Sequence, residues 1–238
     1  MISTLLDRFP KSRPDLPDAY RAIYAEHYRS NREGLSLASS MAQKMESWMH
    51  RRVAQDVAAG AIGHKTLEVG AGTLNHLSYE PPSPTYDVVE EKTDLCLHSP
   101  HRGRVRNVYR SLDDIQGVRY DRIVSIAAFE HFCNLPAVVA KCGLLLAPGG
   151  QLRIAIPSEG TILWKLGWMM TTGVEFRSRY GLDYGVLLRH EHVNAADEIR
   201  AILQLFFKQT RSRVLGIHPS LSIYQFFECR GPILDRTR

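Results

Sequence analysis

Cysteine is scarce in this chain, and where it occurs it forms no pattern. Cys96, Cys133, Cys142 and Cys229 are the four, none in a C-x-x-C pair and each within an apolar stretch. This argues against a disulfide framework or a thiolate metal cluster and fits reduced, buried thiols. Long apolar runs are missing too. No stretch approaches the roughly eighteen residues that a membrane span needs, and no charged segment followed by an apolar one resembles an export signal. A cytoplasmic protein without a membrane span is therefore expected. Nor is charge massed anywhere. The net charge is +5, from 30 Lys and Arg against 25 Asp and Glu, and residues 61–157 hold ten of each, so the surplus lies in the flanks. The densest basic run, His101-Arg102-Gly103-Arg104-Val105-Arg106, has no interleaved aromatics, which argues against a nucleic-acid platform. The mild excess still permits an acidic or phosphate-bearing partner. At 238 residues and 44% hydrophobic, one core with additions is expected rather than two domains.

The most informative stretch present is Thr66-Leu67-Glu68-Val69-Gly70-Ala71-Gly72-Thr73. Leu67 and Val69, with Ile62 upstream, make a short buried strand. Gly70 and Gly72 then let the backbone turn with positive φ and leave no Cβ between main chain and ligand. A dinucleotide fingerprint would continue to a third glycine beside a pyrophosphate. Leu74 and Asn75 stand there instead, which counts against a nicotinamide oxidoreductase. Tyr86-Asp87-Val88-Val89-Glu90 reads as a second strand ending on a carboxylate about twenty residues past the loop, where a ribose acceptor belongs in such folds; Glu91 is its rival. A third strand is expected over 105–109, leading into Ser111-Leu112-Asp113-Asp114-Ile115, and a fourth over 120–126. There follow Phe129-Glu130-His131-Phe132, a helix over 135–146, a turn at Ala147-Pro148-Gly149-Gly150 and a fifth strand over 151–156 that stops at Pro157. Strands alternating with helices argue for a parallel sheet with right-handed crossovers.

Taken in order, Glu68-x-Gly70-x-Gly72, Val89-Glu90, Tyr120-Asp121-x-Ile123-Val124-Ser125, Glu130-His131 and Leu144-Leu145-Leu146-Ala147-Pro148-Gly149-Gly150 resemble the class I S-adenosylmethionine-dependent methyltransferases. Within that superfamily the chain is similar to the type 11-like branch, which methylates small molecules, quinone precursors, sugars and lipids. The match spans residues 65–157. It implies an α/β fold, a doubly wound seven-stranded Rossmann-like sheet, with S-adenosyl-L-methionine as cofactor. By the same resemblance Glu68 would orient the first loop and the methionine end of the cofactor, and Gly70, Ala71 and Gly72 would pass beneath its ribose and methionine. Glu90 would accept both ribose hydroxyls. Ser111 and Leu112 stand where an acidic residue usually meets the adenine amino group, so that contact would come from backbone or from Asp113. Ser125 or Ile126 would offer a carbonyl to the ammonium. Leu74 in place of the third glycine and Ser111 in place of an aspartate are the two departures.

Residues 1–60 are read as a helical cover, 61–157 with 196–238 as the cofactor-binding core, and 158–195 as an insertion after strand five. Beyond Pro10, Pro14 and Pro17, Asp18 can cap a helix on which Tyr20, Tyr24 and Tyr28 recur along one face. A second helix is expected over 37–59, with Met41, Met45, Trp48, Met49 and Val53 on its apolar side. Tyr24, His27 and Tyr28 either pack on the sheet or, as the resemblance implies, close the acceptor pocket. In the insertion, residues 162–170 are apolar nearly all round and breaks are expected at Gly173, Gly181 and Gly185. A lid over the acceptor that includes Trp164 is one reading. The others are an extra core helix, a homodimer face, or peripheral contact of Trp164, Trp168 and Met169 with a membrane surface. His190 and His192 are spaced as a strand or loop ligand pair, but no further ligands follow at matching spacing, so no metal is expected. Asn194 is expected to cap a helix over 195–207, with Asp197 and Glu198 in its first turn, while His190 or His192 faces the pocket. Residues 213–217 and 221–229 should be the last strands, the second inserted antiparallel by the resemblance, with Ile223, Phe226 and Phe227 in the core.

A sulfonium methyl is already activated, so the protein must mainly align the acceptor in line at about 3–3.5 Å and exclude water. A hydroxyl acceptor also needs a base. His131 is the first choice, since imidazole titrates near neutral pH; the alternative is a helix-start histidine bonded to backbone. Glu130 is read as structural or as a binder of substrate hydroxyls. No Asn/Asp-Pro-Pro-Tyr run follows strand four to grip a planar amine, so O-methylation of a small-molecule, sugar or lipid-linked acceptor is expected. A methyltransferase-like protein that acts as a partner or scaffold without catalysis is the alternative that Leu74 and Ser111 leave open.

Overall fold

The computed structural model describes residues 2–24, 37–58, 64–233 and 235. Ile62, His27 and Tyr28 lie outside them. Seven strands form one sheet: β1 (Thr66–Val69), β2 (Tyr86–Val89), β3 (Val108–Tyr109), β4 (Tyr120–Ile126), β5 (Leu146–Pro157), β6 (Phe207–His218) and β7 (Leu221–Pro232). Their order is β3-β2-β1-β4-β5-β7-β6. β7 lies antiparallel between β5 and β6, and the other pairs are parallel. The described helices are α1 (Ile2–Leu6), α2 (18–24), α3 (Leu37–Val53), α4 (Gln55–Ala58), α5 (Asp94–Leu97), α6 (Leu135–Leu145), α7 (Ile162–Met170), α8 (Thr172–Tyr180), α9 (Tyr184–Glu191) and α10 (Ala196–Phe206).

The alternation of strand side chains divides the core between the two faces of the sheet. Ile123, Leu152, Ile154 and Phe227 meet α6 and α10 on one face, through Val139, Cys142, Ile199 and Ile202. Val124, Ile126, Ala155 and Phe226 meet Met49 and Val53 of α3 on the other, with Met45, Trp48 and Ile223 at its margin. Of the apolar side expected for the second helix, Met45, Trp48, Met49 and Val53 therefore cover the sheet, while the side chain of Met41 lies outside the described residues. That helix stops at Val53 rather than at 59. Its terminal carbonyls are taken by two arginines standing on the sheet: Arg122 donates to Val53 O at 3.0 Å, and Arg153 donates to Val53 O at 2.9 Å and Arg52 O at 2.8 Å. Side chains thus satisfy the carbonyls a helix end leaves open.

Four further expectations are corrected. β3 is only two residues long, because Arg102–Arg104 coil as a 3-10 turn and Arg104 reaches back to the carbonyls of Leu77 and Glu80. The turn at 147–150 lies within β5 as a bulge: Tyr120 pairs with Leu146 but Arg122 with Gln151. Gly173 and Gly185 sit inside α8 and α9 rather than breaking them. A Cβ there would meet Trp168, at 3.0 Å from its carbonyl and 3.2 Å from its ring respectively, so these glycines serve close packing; Gly181 alone ends a helix, at φ 68. Finally, Asn194 does not cap α10. Its amide donates to Phe129 O at 2.9 Å and Phe132 O at 2.8 Å, and Ala195 starts the helix without a side-chain bond.

The insertion packs on the amino-terminal arm. Leu16 and Tyr20 form a small core with Phe176 and Leu187, and Tyr20 Oη exchanges 3.0 Å bonds with both backbone groups of Asp183. Ile162, Leu166, Met169, Met170 and Val174 remain exposed. No helix of the described residues is long and apolar enough to cross a membrane.

Candidate active site

A cleft of about 1110 Å³ opens along the carboxyl ends of β1 to β4, between Gly70, Glu90, Ser111–Asp113 and Ala127–Ala128. This is the crevice where a parallel sheet with helices on both faces collects ligands. The loop after β1 turns through Gly70 at φ 74 and Gly72 at φ 52. Gly72 N–H donates to Glu90 Oε2 at 2.8 Å and Lys92 N–H to Glu90 Oε1 at 3.0 Å. Each carboxylate oxygen has a further lone pair for a ligand hydroxyl. The smallness of Gly70 is demanded by the protein itself: a Cβ there would stand 2.5 Å from that of Ala128.

Both departures from the family pattern keep the local geometry. Leu74 holds φ 65, the left-handed conformation a glycine would take, and its side chain is fully buried against Leu77 and Tyr86. Left-handed backbone costs about 1–2 kcal/mol, and burying a leucine side chain returns a similar amount. Ser111 starts the turn Leu112–Asp114 with a capping box: its hydroxyl accepts Asp113 N–H at 3.2 Å while Asp114 accepts Ser111 N–H at 2.9 Å. Leu112 and Asp113 line the cleft, Asp113 pairing with Lys141 across it at 2.9 Å.

The side chains of Ser125, Ile126 and Glu68 are not among those lining the cleft. Ser125 is buried and donates to Val69 O at 2.7 Å, and Ile126 packs beneath α3. The residues that reach the cleft from β4 are Ala127, at φ 48, and Ala128. Glu68 points away from the loop, into a buried polar group where it accepts Tyr86 Oη–H at 2.9 Å. Burial pushes its carboxyl up to about 7, with the charge of His76 and the Tyr86 bond opposing. A carboxyl raised in the folded state destabilises the fold increasingly as pH climbs from its ordinary value near 4.5 towards 7. Glu68→Gln, whose amide oxygen can still accept from Tyr86, is therefore expected to be the more stable protein above pH 7, by up to about 3 kcal/mol. The two should converge near the ordinary carboxyl pKa in urea titrations. A pH-independent difference would show that Glu68 is not the group responsible.

At the other end of the cleft the 3-10 turn Phe129–His131 carries Glu130 and His131. Glu130 O accepts Val193 N–H at 2.8 Å and Asn194 N–H at 3.1 Å. This joins the turn after β4 to the end of the insertion. His131 Nδ1 lies 2.9 Å from Glu191 O, and Nε2 lies 3.8 Å from Glu130 Oε1. Its ring meets His192 edge to face, centroids 4.9 Å apart. His192 Nδ1 is 2.8 Å from Glu159 Oε2, which also accepts Trp164 Nε1–H at 2.7 Å. Trp164 stacks on His192, so it backs the histidine and does not line the cleft. Tyr24 and His190 do line it; Tyr24 Oη donates to Glu191 and His190 Nδ1 meets Pro14 O at 2.7 Å. Burial pushes the Glu130 carboxyl up to about 7 against the opposing charge of His192. Glu191 is raised by burial as well.

Arg13 has no sequence signal beyond its place between two prolines, yet it ties this end together. It donates to His131 O at 3.0 Å, His190 O at 3.2 Å and Glu191 O at 3.3 Å. Lys11 does the same for Val193 O at 2.8 Å.

No protein-family profile matches the chain. No curated protein matches it either. Solved structures do. An O-methyltransferase family protein from Burkholderia thailandensis superposes with a TM-score of 0.58 at 15% identity, over 96% of this chain and 68% of that one. N-methyltransferase NodS from Bradyrhizobium japonicum WM9, in complex with S-adenosyl-L-homocysteine, gives 0.55 at 15% identity over 91% and 100%. A SAM-dependent methyltransferase from Thermotoga maritima, described as a possible histamine N-methyltransferase, gives 0.55 at 13% over 89% and 97%. The fold, with its antiparallel β7 inserted before the edge strand, is that of the SAM-dependent methyltransferases.

Proposed function

We propose that the chain is a class I methyltransferase that uses S-adenosyl-L-methionine to methylate a hydroxyl of a small-molecule or glycan-type acceptor. One observation carries the reading. The Glu90 carboxylate stands at the end of β2, held by the backbone N–H groups of Gly72 in the loop after β1 and Lys92 in the turn after β2, with lone pairs left for a pair of vicinal hydroxyls. Bound there, the cofactor would supply an already activated sulfonium methyl. Gly70, Ala71 and Gly72 would lie against its ribose and methionine, Leu112 and Asp113 beside its base, and the carbonyls at the end of β4 near its ammonium. Glu130 and His131, with Tyr24 and His190 nearby, would bind the acceptor hydroxyl and draw its proton. The amino-terminal arm and the insertion, joined through Arg13 and the Tyr20 cluster, would exclude water from that end.

Leu74 and Ser111 both preserve loop geometry, which favours catalysis over a scaffold role. The four cysteines form no disulfide, in keeping with a cytoplasmic setting. A lipid-linked acceptor is a second reading, favoured by the exposed Ile162, Leu166, Met169 and Met170 on α7.

The test is calorimetry with S-adenosyl-L-methionine. The parent should bind it, and Glu90→Ala should bind about 10–100-fold more weakly, the effect of losing a charged hydrogen-bond acceptor. Equal affinity in the two proteins, or no binding by the parent, would end the methyltransferase reading.

A further inference from the structure

We propose that Glu130, His131 and His192 form a binding site for one divalent cation of the zinc type. The three offer donor atoms within 4.8 Å of one another, drawn from the turn after β4 and from the far end of the insertion. Two imidazole nitrogens and a carboxylate oxygen are a zinc donor set, and a site with three protein ligands keeps its fourth position open. Of the three, His131 lines the cleft and is the most exposed, at 30% against 12% for His192 and 1% for Glu130.

Two independent features point to a ligand. The first is the way both rings are held. His131 Nδ1 faces a backbone carbonyl, that of Glu191 at 2.9 Å, and His192 Nδ1 faces the Glu159 carboxylate at 2.8 Å. Each imidazole is thereby fixed with Nε2 as the nitrogen for the site, the arrangement by which metal-binding histidines are oriented. The second is Glu130, whose side chain is 1% exposed and whose Oε2 is buried with no hydrogen-bond partner among the described residues. A buried carboxylate oxygen in that condition is costly unless a cation neutralises it. The backbone on either side is rigidly placed, by Asn194 on the carbonyls of Phe129 and Phe132 and by Arg13 on that of His131. Donors of a tetrahedral zinc site stand roughly 3.3 Å apart, given bonds of about 2.0–2.1 Å. The three donors, within 4.8 Å of one another, would have to draw together on binding.

The site rests on these side chains alone. Its role rests on the methyltransferase reading: a cation held by the three residues, rather than the His131 imidazole by itself, would draw the acceptor hydroxyl into the cleft and acidify it.

The experiment strips the full-length protein with a chelator and titrates it with Co2+ by absorption spectroscopy and with Zn2+ by calorimetry. One equivalent should bind, with the intense visible bands of four-coordinate cobalt, and Zn2+ should displace it. His192→Ala and Glu130→Gln should each bind at least a hundredfold more weakly. Glu159→Gln leaves all three donors in place and should lose about tenfold; it keeps the test decisive if the other variants unfold. Added Zn2+ should raise the Tm of the parent and not that of His192→Ala. Absence of the cobalt bands in the parent, or unchanged Zn2+ affinity in Glu159→Gln and His192→Ala together, overturns the proposal. Calorimetry with S-adenosyl-L-methionine on the same preparation separates the two readings. Cofactor binding without cobalt bands removes only the cation site, and cobalt bands without cofactor binding remove only the methyltransferase.

Discussion

Gly70→Ala is expected to lose most of the affinity for S-adenosyl-L-methionine and to unfold at a markedly lower temperature. Two costs coincide at this residue. Its φ of 74 is left-handed, where an alanine costs about 1–2 kcal/mol, and the added methyl carbon would stand 2.5 Å from Ala128 Cβ, an overlap of the kind that costs about 1–3 kcal/mol when a packed site must shift. Together they come to about 3 kcal/mol, a fall in Tm of roughly 10 °C for a chain of this size. Relief has to come from moving either the β1 loop or the turn after β4, and both are walls of the cleft. A displacement of about 1 Å in a catalytic site can cost about a hundredfold in rate, so turnover should fall together with affinity. Gly70→Ala/Ala128→Gly is the control: it clears the overlap but not the left-handed backbone, so it should recover roughly half of the lost stability. If the single variant melted with the parent and bound the cofactor equally well, the close approach of the two turns would not be what the site depends on.

Arg122→Met should be the most destabilising substitution on the sheet, by about 3–5 kcal/mol at neutral pH. The guanidinium is 1% exposed. It donates to both oxygens of Glu80, at 2.9 and 2.7 Å, and to Asp56 at 2.8 Å, as well as to the end of α3. Methionine fills the space but leaves Glu80 with His76 as its only ion-pair partner among the described residues, at 2.8 Å, and Asp56 with Arg153 as its only one, at 3.3 Å. Acidity decides whether this account is right. Burial alone would push Glu80 up; the hydrogen bond from His76 and the charge and hydrogen bonds of Arg122 outweigh it and hold the carboxyl at about 2. A carboxyl depressed in the folded state contributes stability that is fully present above its ordinary value near 4.5 and is lost as pH falls towards 2. In Arg122→Met only His76 still opposes burial, Glu80 takes up a proton more readily, and much of that contribution is lost. The gap between parent and variant should therefore be widest at pH 7 and shrink below pH ~4.5, as read from urea midpoints. A gap of constant size would mean that lost packing, not the ion pair, is responsible. Arg122→Lys should not rescue it, since an ammonium cannot grip both Glu80 oxygens and Asp56 at once.

Both residues illustrate how unevenly the chain announces itself. Gly70 is legible: a glycine after a short apolar run, with a second two residues on, is a turn that needs positive φ. What is not legible is that its closest constraint is Ala128, on another loop. Arg122 reads in sequence only as a member of the strand over 120–126, and nothing near it shows that it caps α3 and neutralises Glu80. The side chains of Ser125 and Glu68 find partners that no local pattern shows, because a side chain's partner depends on which neighbour the sheet brings beside it: Val69 O for one, Tyr86 Oη for the other. Local spacing allows Asn194 to cap a helix. Its amide instead donates to the carbonyls of Phe129 and Phe132, a demand no local pattern records.

What the sequence determined by itself is the sheet, its order of strands and helices, and the glycine loop with Glu90 after it, since periodicity and turn chemistry act between residues close along the chain. The tertiary structure alone decided that His131, His192 and Glu130 share one small space, that Arg13 from the amino-terminal arm binds it together, and that Trp164 stands behind it. Those are contacts across large separations in sequence, set by how whole elements pack. Side-chain identity records them only as an arginine, a tryptophan and two histidines with no visible reason to be where they are.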